Sequence, residues 1–338
     1  MDSSYQPSEE ENLYCYPDIN GSCTKLYRSP TTLAILYFLC GMTMIATIFG
    51  NLLVIIVIAH FKVLHSPTNV LSLSLALTDC LLGILVLPFC TVRSVETCWY
   101  FGDGFCRVHT GLDTLFCLAS VFHLCFISID RYCAICNPFR YPSLISVRVV
   151  CVSVAAGWVI TTVYTYGMLY SKDLEEALVK FVPNKSCIGG CQLVFMTLWG
   201  WVNFPVFFLP CFLMMGLYVK IFIVAKKQAK LIADSSQCTA QGRASKRERK
   251  AAKTLGVAVS VYVLCWVPFI VDTMLESFYT SITPPLLFDF LMWSTYLNSA
   301  CNPIIYGFFY PWFRKALKII ITGKIFHKGS STINLFQD

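Results

Sequence analysis

The sequence predicts an all-α membrane protein: a seven-transmembrane helix bundle with its N-terminus outside and a short amphipathic eighth helix after the last span. Three observations predict it. Of 338 residues, 56% are hydrophobic and 13% charged, whereas soluble domains carry roughly 25% charged residues, so too few charges remain to cover a soluble surface. The apolar residues lie in long blocks without period-two alternation, which argues against a membrane barrel. Seven such blocks can be counted, each long enough for the roughly 20 residues that a bilayer-spanning helix needs.

The elements follow in order. Residues 1–31 form a polar extracellular tail. It holds Glu9, Glu10 and Glu11 where a cleavable signal peptide would have a basic and then an apolar run, so the first span is expected to serve as the insertion signal. Spans run from about Thr32 to Ala59, Val70 to Val92, His109 to Ile135, Val149 to Leu169, Leu193 to Val224, Ala252 to Tyr279 and Pro285 to Phe309, giving one bundle over 32–309. Pro210, Pro268 and Pro303 fall inside the last three spans, where each removes a backbone hydrogen bond and permits a kink. Residues 310–338 remain for the eighth helix, amphipathic in PWFRKALKII, and the cytoplasmic tail.

Orientation follows from charge. Nineteen of the 26 basic residues fall in the first, third and fifth connections and the C-terminal tail; the others are Lys25, Arg28, Arg93, Arg107, Lys172, Lys180 and Lys185. By the positive-inside rule the N-terminus is outside and the C-terminus cytoplasmic. Fourteen of the 19 acidic residues lie on or near the outer side, so the outer mouth favours cations. The net charge of +7 thus reflects topology and is no sign of nucleic-acid binding. A multi-pass protein of the plasma membrane is expected.

Of 18 cysteines, six face the oxidising side: Cys15, Cys23, Cys98, Cys106, Cys187 and Cys191. Sequence alone does not choose among their pairings. Asn20-Gly-Ser22 and Asn184-Lys-Ser186 are glycosylation sequons on that side.

Ionisable groups inside spans carry the functional information, because a charge at mid-membrane costs at least about 2.5 kcal/mol. Asp79 in the second span reads as the anchor of a buried polar network with Asn51, Ser120, Asn298 and Asn302, with a possible bound sodium ion. Asp113 lies 18 residues before Arg131 on one helix, about 27 Å at the helical rise, so it sits in the outer third of the bundle. Either it is hydrogen-bonded to neighbours such as Tyr296, or it serves as counter-ion to an incoming cation. Trp266, Phe269, Trp293 and Tyr296 lie near its level, and aromatic faces around a carboxylate suit an ammonium ion.

These motifs resemble the rhodopsin-like G-protein-coupled receptors along nearly the whole chain: Gly50-Asn51, LALTD ending in Asp79, Asp130-Arg131-Tyr132, Trp158, Cys265-Trp266-Val267-Pro268 and Asn302-Pro303-Ile304-Ile305-Tyr306, in order and in the right spans. Asp113 stands at the amine-binding position of aminergic receptors. NSACNPIIYGFFYPWFRKALKII, VETCWYFG before Cys106 and RERKAAKTLGV resemble the trace amine-associated receptors, many of them olfactory.

The resemblance implies roles. Asp113 would pair with a ligand amine in a pocket lined by Cys117, Asn203, Trp266, Phe269, Trp293 and Tyr296. Arg131 would be held by Asp130 and Glu248 at rest, while Tyr218, Asn302 and Tyr306 would rearrange on activation. Cys106 would pair with Cys191 and Cys23 with Cys187, leaving Cys15 and Cys98 unassigned. The implied partners are a small amine, a heterotrimeric G protein of the stimulatory or olfactory kind, arrestin, a receptor kinase and membrane lipid.

The chain also departs from the pattern. Tyr262 replaces a usual Phe and Val121 a common Ile, and no Cys follows the eighth helix for palmitoylation. Val202 and Asn203 stand where some relatives hold a second carboxylate for diamines. A second acidic contact for a diamine or polyamine would have to come from Asp272, Glu276 or Asp289. An enzyme is not expected, for there is no HExxH or GxSxG; a transporter would show repeat symmetry. A light sensor would need a lysine in the seventh span, which has none between Leu286 and Gly307. An ordinary biogenic-amine receptor for catecholamines would place serines in VNFPVFF of the fifth span, which has none.

Overall fold

A computed structural model describes residues 14–170, 187–191, 196–234, 240–278 and 283–336. Asn184 lies outside them, as do the side chains of Asn203, Glu248 and Glu276.

Helix α1 spans Pro30–His60 and is capped by Ser29, whose hydroxyl accepts the Thr32 amide at 3.2 Å. The second crossing is two helices, α2 (Pro67–Leu85) and α3 (Leu87–Glu96), joined at Val86. This corrects the single unbroken second span: Pro88 in the first turn of α3 has no amide hydrogen for a continuous ladder. α4 (Gly102–Cys136) is followed by the single turn α5 (Tyr141–Leu144) and then α6 (Val147–Leu169), capped by Ser146. α7 (Met196–Asp234) contains Pro205 and Pro210, α8 (Ala240–Phe278) contains Pro268, and α9 (Pro285–Phe309) contains Pro303. α10 (Pro311–Ile321) is the amphipathic eighth helix. At 39 residues each, α7 and α8 run about 58 Å, well beyond the membrane. The fifth and sixth spans therefore continue as helix on the cytoplasmic side, through sequence whose Lys, Arg and Ala favour helix.

Six described helices are apolar and long enough to cross a membrane by composition. α9 falls short because it carries Asp289, Ser294, Thr295, Asn298, Ser299 and Asn302, polar groups that its partners must satisfy. α4 packs against α2, α6, α7 and α8, and α9 against α1 and α8, which makes α4 the central post. The core around it includes Leu75, Leu82, Leu118, Leu124, Met214 and Tyr262. Gly50 is needed where α1 meets α9: a Cβ there would fall 2.9 Å from Pro303.

Two regions tie the bundle ends. Outside, three disulfides join the N-terminal segment and two loops: Cys15–Cys98, Cys23–Cys187 and Cys106–Cys191. Cys15 and Cys98, unassigned from sequence, are thus partners. Inside, the tail after α10 folds back through turns at Lys324–Phe326 and Ser330–Thr332. It buries Leu335 against Val54, Val57, Phe61, Phe313 and Ala316. His60 Nε2 lies 2.9 Å from the Ser330 hydroxyl, which donates to the Ile325 carbonyl at 2.6 Å.

Candidate amine site and the networks beneath it

Asp113 faces the interior from α4, half-buried. One carboxylate oxygen accepts the Tyr296 hydroxyl at 2.9 Å and the other the Cys117 thiol at 3.5 Å. Both partners are neutral, and among the described residues no cation forms an ion pair with Asp113. Tyr296 packs edge-on against Trp293, with ring centroids 5.5 Å apart. Below, Trp266 stacks on Phe207 at 4.9 Å and on Tyr262 at 5.8 Å. Phe269 meets Phe288 at 5.8 Å. The result is a carboxylate bonded to one aromatic ring and set in a core cluster rich in others, an arrangement that attracts a cation through both charge and ring faces.

The break at Val86 sets how α3 meets Tyr296 and Trp293. Cys90, Arg93 and Ser94 are spaced i, i+3 and i+4, so they share one helix face. Cys90 Sγ lies 3.4 Å from Tyr296 Oη, Arg93 Nη2 lies 3.1 Å from Met292 Sδ, and Trp293 Nε1 donates to Ser94 Oγ at 3.0 Å. Sequence reading placed Arg93 only among outer basic residues and missed Cys90, Met292 and Ser94. Nothing in the apolar periodicity marks which face a broken helix turns inward.

Two of the three carboxylates expected at the rim, Asp289 and Asp272, are engaged. Arg28 donates to Asp289 at 2.9 Å and to the Ser94 carbonyl at 2.7 Å, and only 5% of its side chain is exposed. Asp289 is thus already neutralised by the protein's own N-terminal segment, which corrects its reading as a free contact for a second ammonium. Asp272 is buried and accepts the Thr283 hydroxyl. The segment that brings Arg28 here is held by a Lys25–Glu96 ion pair at 2.8 Å, by the Tyr37 hydroxyl on Glu96 at 2.8 Å and by the disulfides. The Lys25 hydrogen bond keeps the Glu96 carboxyl below its ordinary range. Gly189, with φ +89°, and Gly190 let the loop pass under the bridges: a Cβ on Gly189 would lie 2.8 Å from Cys15 Cβ, and one on Gly190 2.8 Å from Cys23 Sγ. Asn20 is exposed on this cap.

Deeper in the bundle, Asp79 is fully buried and accepts Ser299 at 2.8 Å, Asn302 at 2.8 Å and Ser120 at 3.4 Å. Ser299 takes the place expected for Asn298, which is buried but makes none of the hydrogen bonds to Asp79. Asn51 joins through the Ser299 carbonyl at 3.0 Å and not through Asp79 itself. At the cytoplasmic end Arg131 pairs with Asp130 at 2.6 Å. Asp130 also accepts Thr68 at 2.7 Å and Tyr141 at 2.8 Å, two partners that sequence did not reveal because they come from other helices. Tyr132 packs against the core, and Tyr306 stands edge-on to Phe313 with centroids 6.4 Å apart. Tyr218 of α7 lies directly over Gly256 of α8, where an added Cβ would overlap its phenol ring.

A seven-helix bundle with an outer carboxylate at Asp113 held by neutral partners, a buried Asp79 network and an Asp130–Arg131 pair at the inner end defines a receptor of the seven-transmembrane class. Comparison with known proteins agrees: the family described as 7 transmembrane receptor (rhodopsin family) matches residues 50–306. The chain belongs to the rhodopsin family and, within it, to the trace amine-associated receptors. It is 53% identical to trace amine-associated receptor 5 of Mus musculus over 98% of this chain and 97% of the relative. It is 51% identical to the Homo sapiens receptor of the same name over the same shares. With trace amine-associated receptor 9 of Mus musculus it shares 47% identity over 100% of this chain and 99% of the relative.

Proposed function

We propose that this multi-pass plasma-membrane receptor, an amine-sensing G-protein-coupled receptor by family, binds the ammonium group of its ligand at Asp113. The observation that carries the reading is a half-buried carboxylate with only neutral hydrogen-bond partners, beside the paired rings of Tyr296 and Trp293. An ammonium ion supplies the missing charge, and Trp266, Phe269, Trp293 and Tyr296 supply the ring faces. Signal leaves at the other end of α4, through Arg131, to a heterotrimeric G protein. The stimulatory or olfactory kind is proposed, and arrestin and receptor kinase are proposed later partners. Replacing Asp113 by Asn should lower amine potency by about 30-fold or more in a cAMP assay, since it removes a desolvated charge partner worth at least about 2 kcal/mol. Undiminished potency at matched surface expression would contradict it.

A sodium ion is proposed at Asp79, because the carboxylate of Asp79 and the hydroxyl oxygens of Ser120 and Ser299 are the hard donors that such an ion takes, with the Asn302 amide nitrogen holding the other carboxylate oxygen. Potency measured in sodium and in potassium medium should differ, and Asp79→Asn should remove the difference. A difference that survives the substitution would contradict the assignment.

A further inference from the structure

The outer ends of α3 and α9 hold two guanidinium groups in opposite conditions. Arg28 is matched: a carbonyl and a carboxylate accept its donors at 2.7 and 2.9 Å. Arg93 is not. It is half-buried, and its Nη2 reaches only Met292 Sδ at 3.1 Å and Cys90 Sγ at 3.7 Å. Sulfur is a weak acceptor, and a guanidinium has five N–H donors in a fixed fork. Among the described residues no oxygen accepts from Arg93.

Its position relative to the amine site follows from a short chain of contacts. Cys90 Sγ, which touches Arg93, lies 3.4 Å from Tyr296 Oη, and Tyr296 donates to Asp113 at 2.9 Å. Cys90 and Met292 are both buried. A fixed positive charge therefore stands three contacts from a fixed negative one. A ligand held by its ammonium at Asp113 and reaching toward α3 and α9 meets Arg93, whereas Asp289 is already paired with Arg28.

We infer that Arg93 is a second ligand-binding residue, which selects the sign of the group that the ligand carries away from its ammonium. A carboxylate or other oxygen acceptor fills the open donors; a second ammonium is repelled. The inference rests on the reading of Asp113 as the primary site. It deepens that reading, turning a receptor for amines in general into one that disfavours diamines in this direction and accepts amino-acid-like, bipolar amines.

The test uses three matched ligand series of three to eight carbons: straight-chain alkylamines, α,ω-diamines and ω-amino acids. Each is assayed by cAMP and, where silent, by inhibition of an active member. The receptors are the full-length protein, Arg93→Met, which keeps length without charge, and Arg93→Lys, which keeps charge. In Arg93→Met the best diamine should gain about tenfold relative to the alkylamine of equal length, and the amino acid should lose about tenfold. Arg93→Lys should keep the original order. The alkylamine response serves as the folding control, because a merely structural role of Arg93 would move all three series together.

Equal shifts in all series, no shift, or silence of all series at matched surface expression would each overturn the inference. Asp113→Asn separates the two claims. If the alkylamine response survives it, the primary-site reading fails and the Arg93 inference falls with it; if Asp113→Asn is silent while all three series shift equally at Arg93, only the Arg93 inference fails.

Discussion

Gly256 and Tyr218 show how single residues set the packing of α7 against α8. The phenol of Tyr218 occupies the space where any larger residue at 256 would place its Cβ, so α7 and α8 approach at this level only because one of them has no side chain. Gly256→Ala should lower thermal stability by about 1–3 kcal/mol, the usual cost of overpacking. In a Tyr218→Ala background the same change should be neutral or stabilising, because Ala is the better helix former by about 1 kcal/mol. Melting of the detergent-solubilised receptor checks this; equal losses in both backgrounds would show that the two residues do not share the space. Arg28 and Arg93 teach a related point. Both are outer basic residues in sequence, yet one is spent on Asp289 and the other faces sulfur, and that difference depends on partners from α9 that no local pattern reveals.

At the scale of elements, the break at Val86 and the disulfide cap matter most. Had the second crossing continued as one helix, the face bearing Cys90, Arg93 and Ser94 would point elsewhere, because each residue added or lost turns a helix by about 100°. Pro88 was visible in the sequence, but whether a proline kinks, breaks or merely bends a helix depends on its neighbours. The cap could be read only in part. Cysteine counting put six residues on the oxidising side, and family resemblance suggested two bridges; the third, Cys15–Cys98, emerges because Gly189 and Gly190 allow the N-terminal segment to cross the loop. Cys15→Ser and Cys98→Ser should each reduce stability by about 2–4 kcal/mol, equally, and the double variant should be no worse than either single one. Unequal or additive losses, read by surface expression and melting, would reject the pairing. The tail that returns to bury Leu335 was not legible at all: one leucine and one serine after an amphipathic helix carry no periodic signal.

For the molecule as a whole, the physics that was plain in sequence was that of the solvent. Lipid demands long apolar runs and confines charge, so the seven spans, the orientation and the two outlying carboxylates Asp79 and Asp113 all stand out before any contact is known. What lipid does not dictate is which polar groups meet. Ser299 serves Asp79 where Asn298 was expected, and Thr68 and Tyr141 hold Asp130 from other helices; these choices are made by packing geometry, which a one-dimensional pattern does not contain. The central claim is nevertheless local: the protein distinguishes an ammonium group from its surroundings at Asp113. The most direct measurement is a two-by-two competition-binding comparison of an alkylamine and the alcohol of equal length on the intact receptor and on Asp113→Asn. The account predicts that the amine loses about 30-fold or more while the alcohol is unchanged, so that preference for the charged ligand collapses. An amine that keeps its full advantage over the alcohol in Asp113→Asn would contradict it.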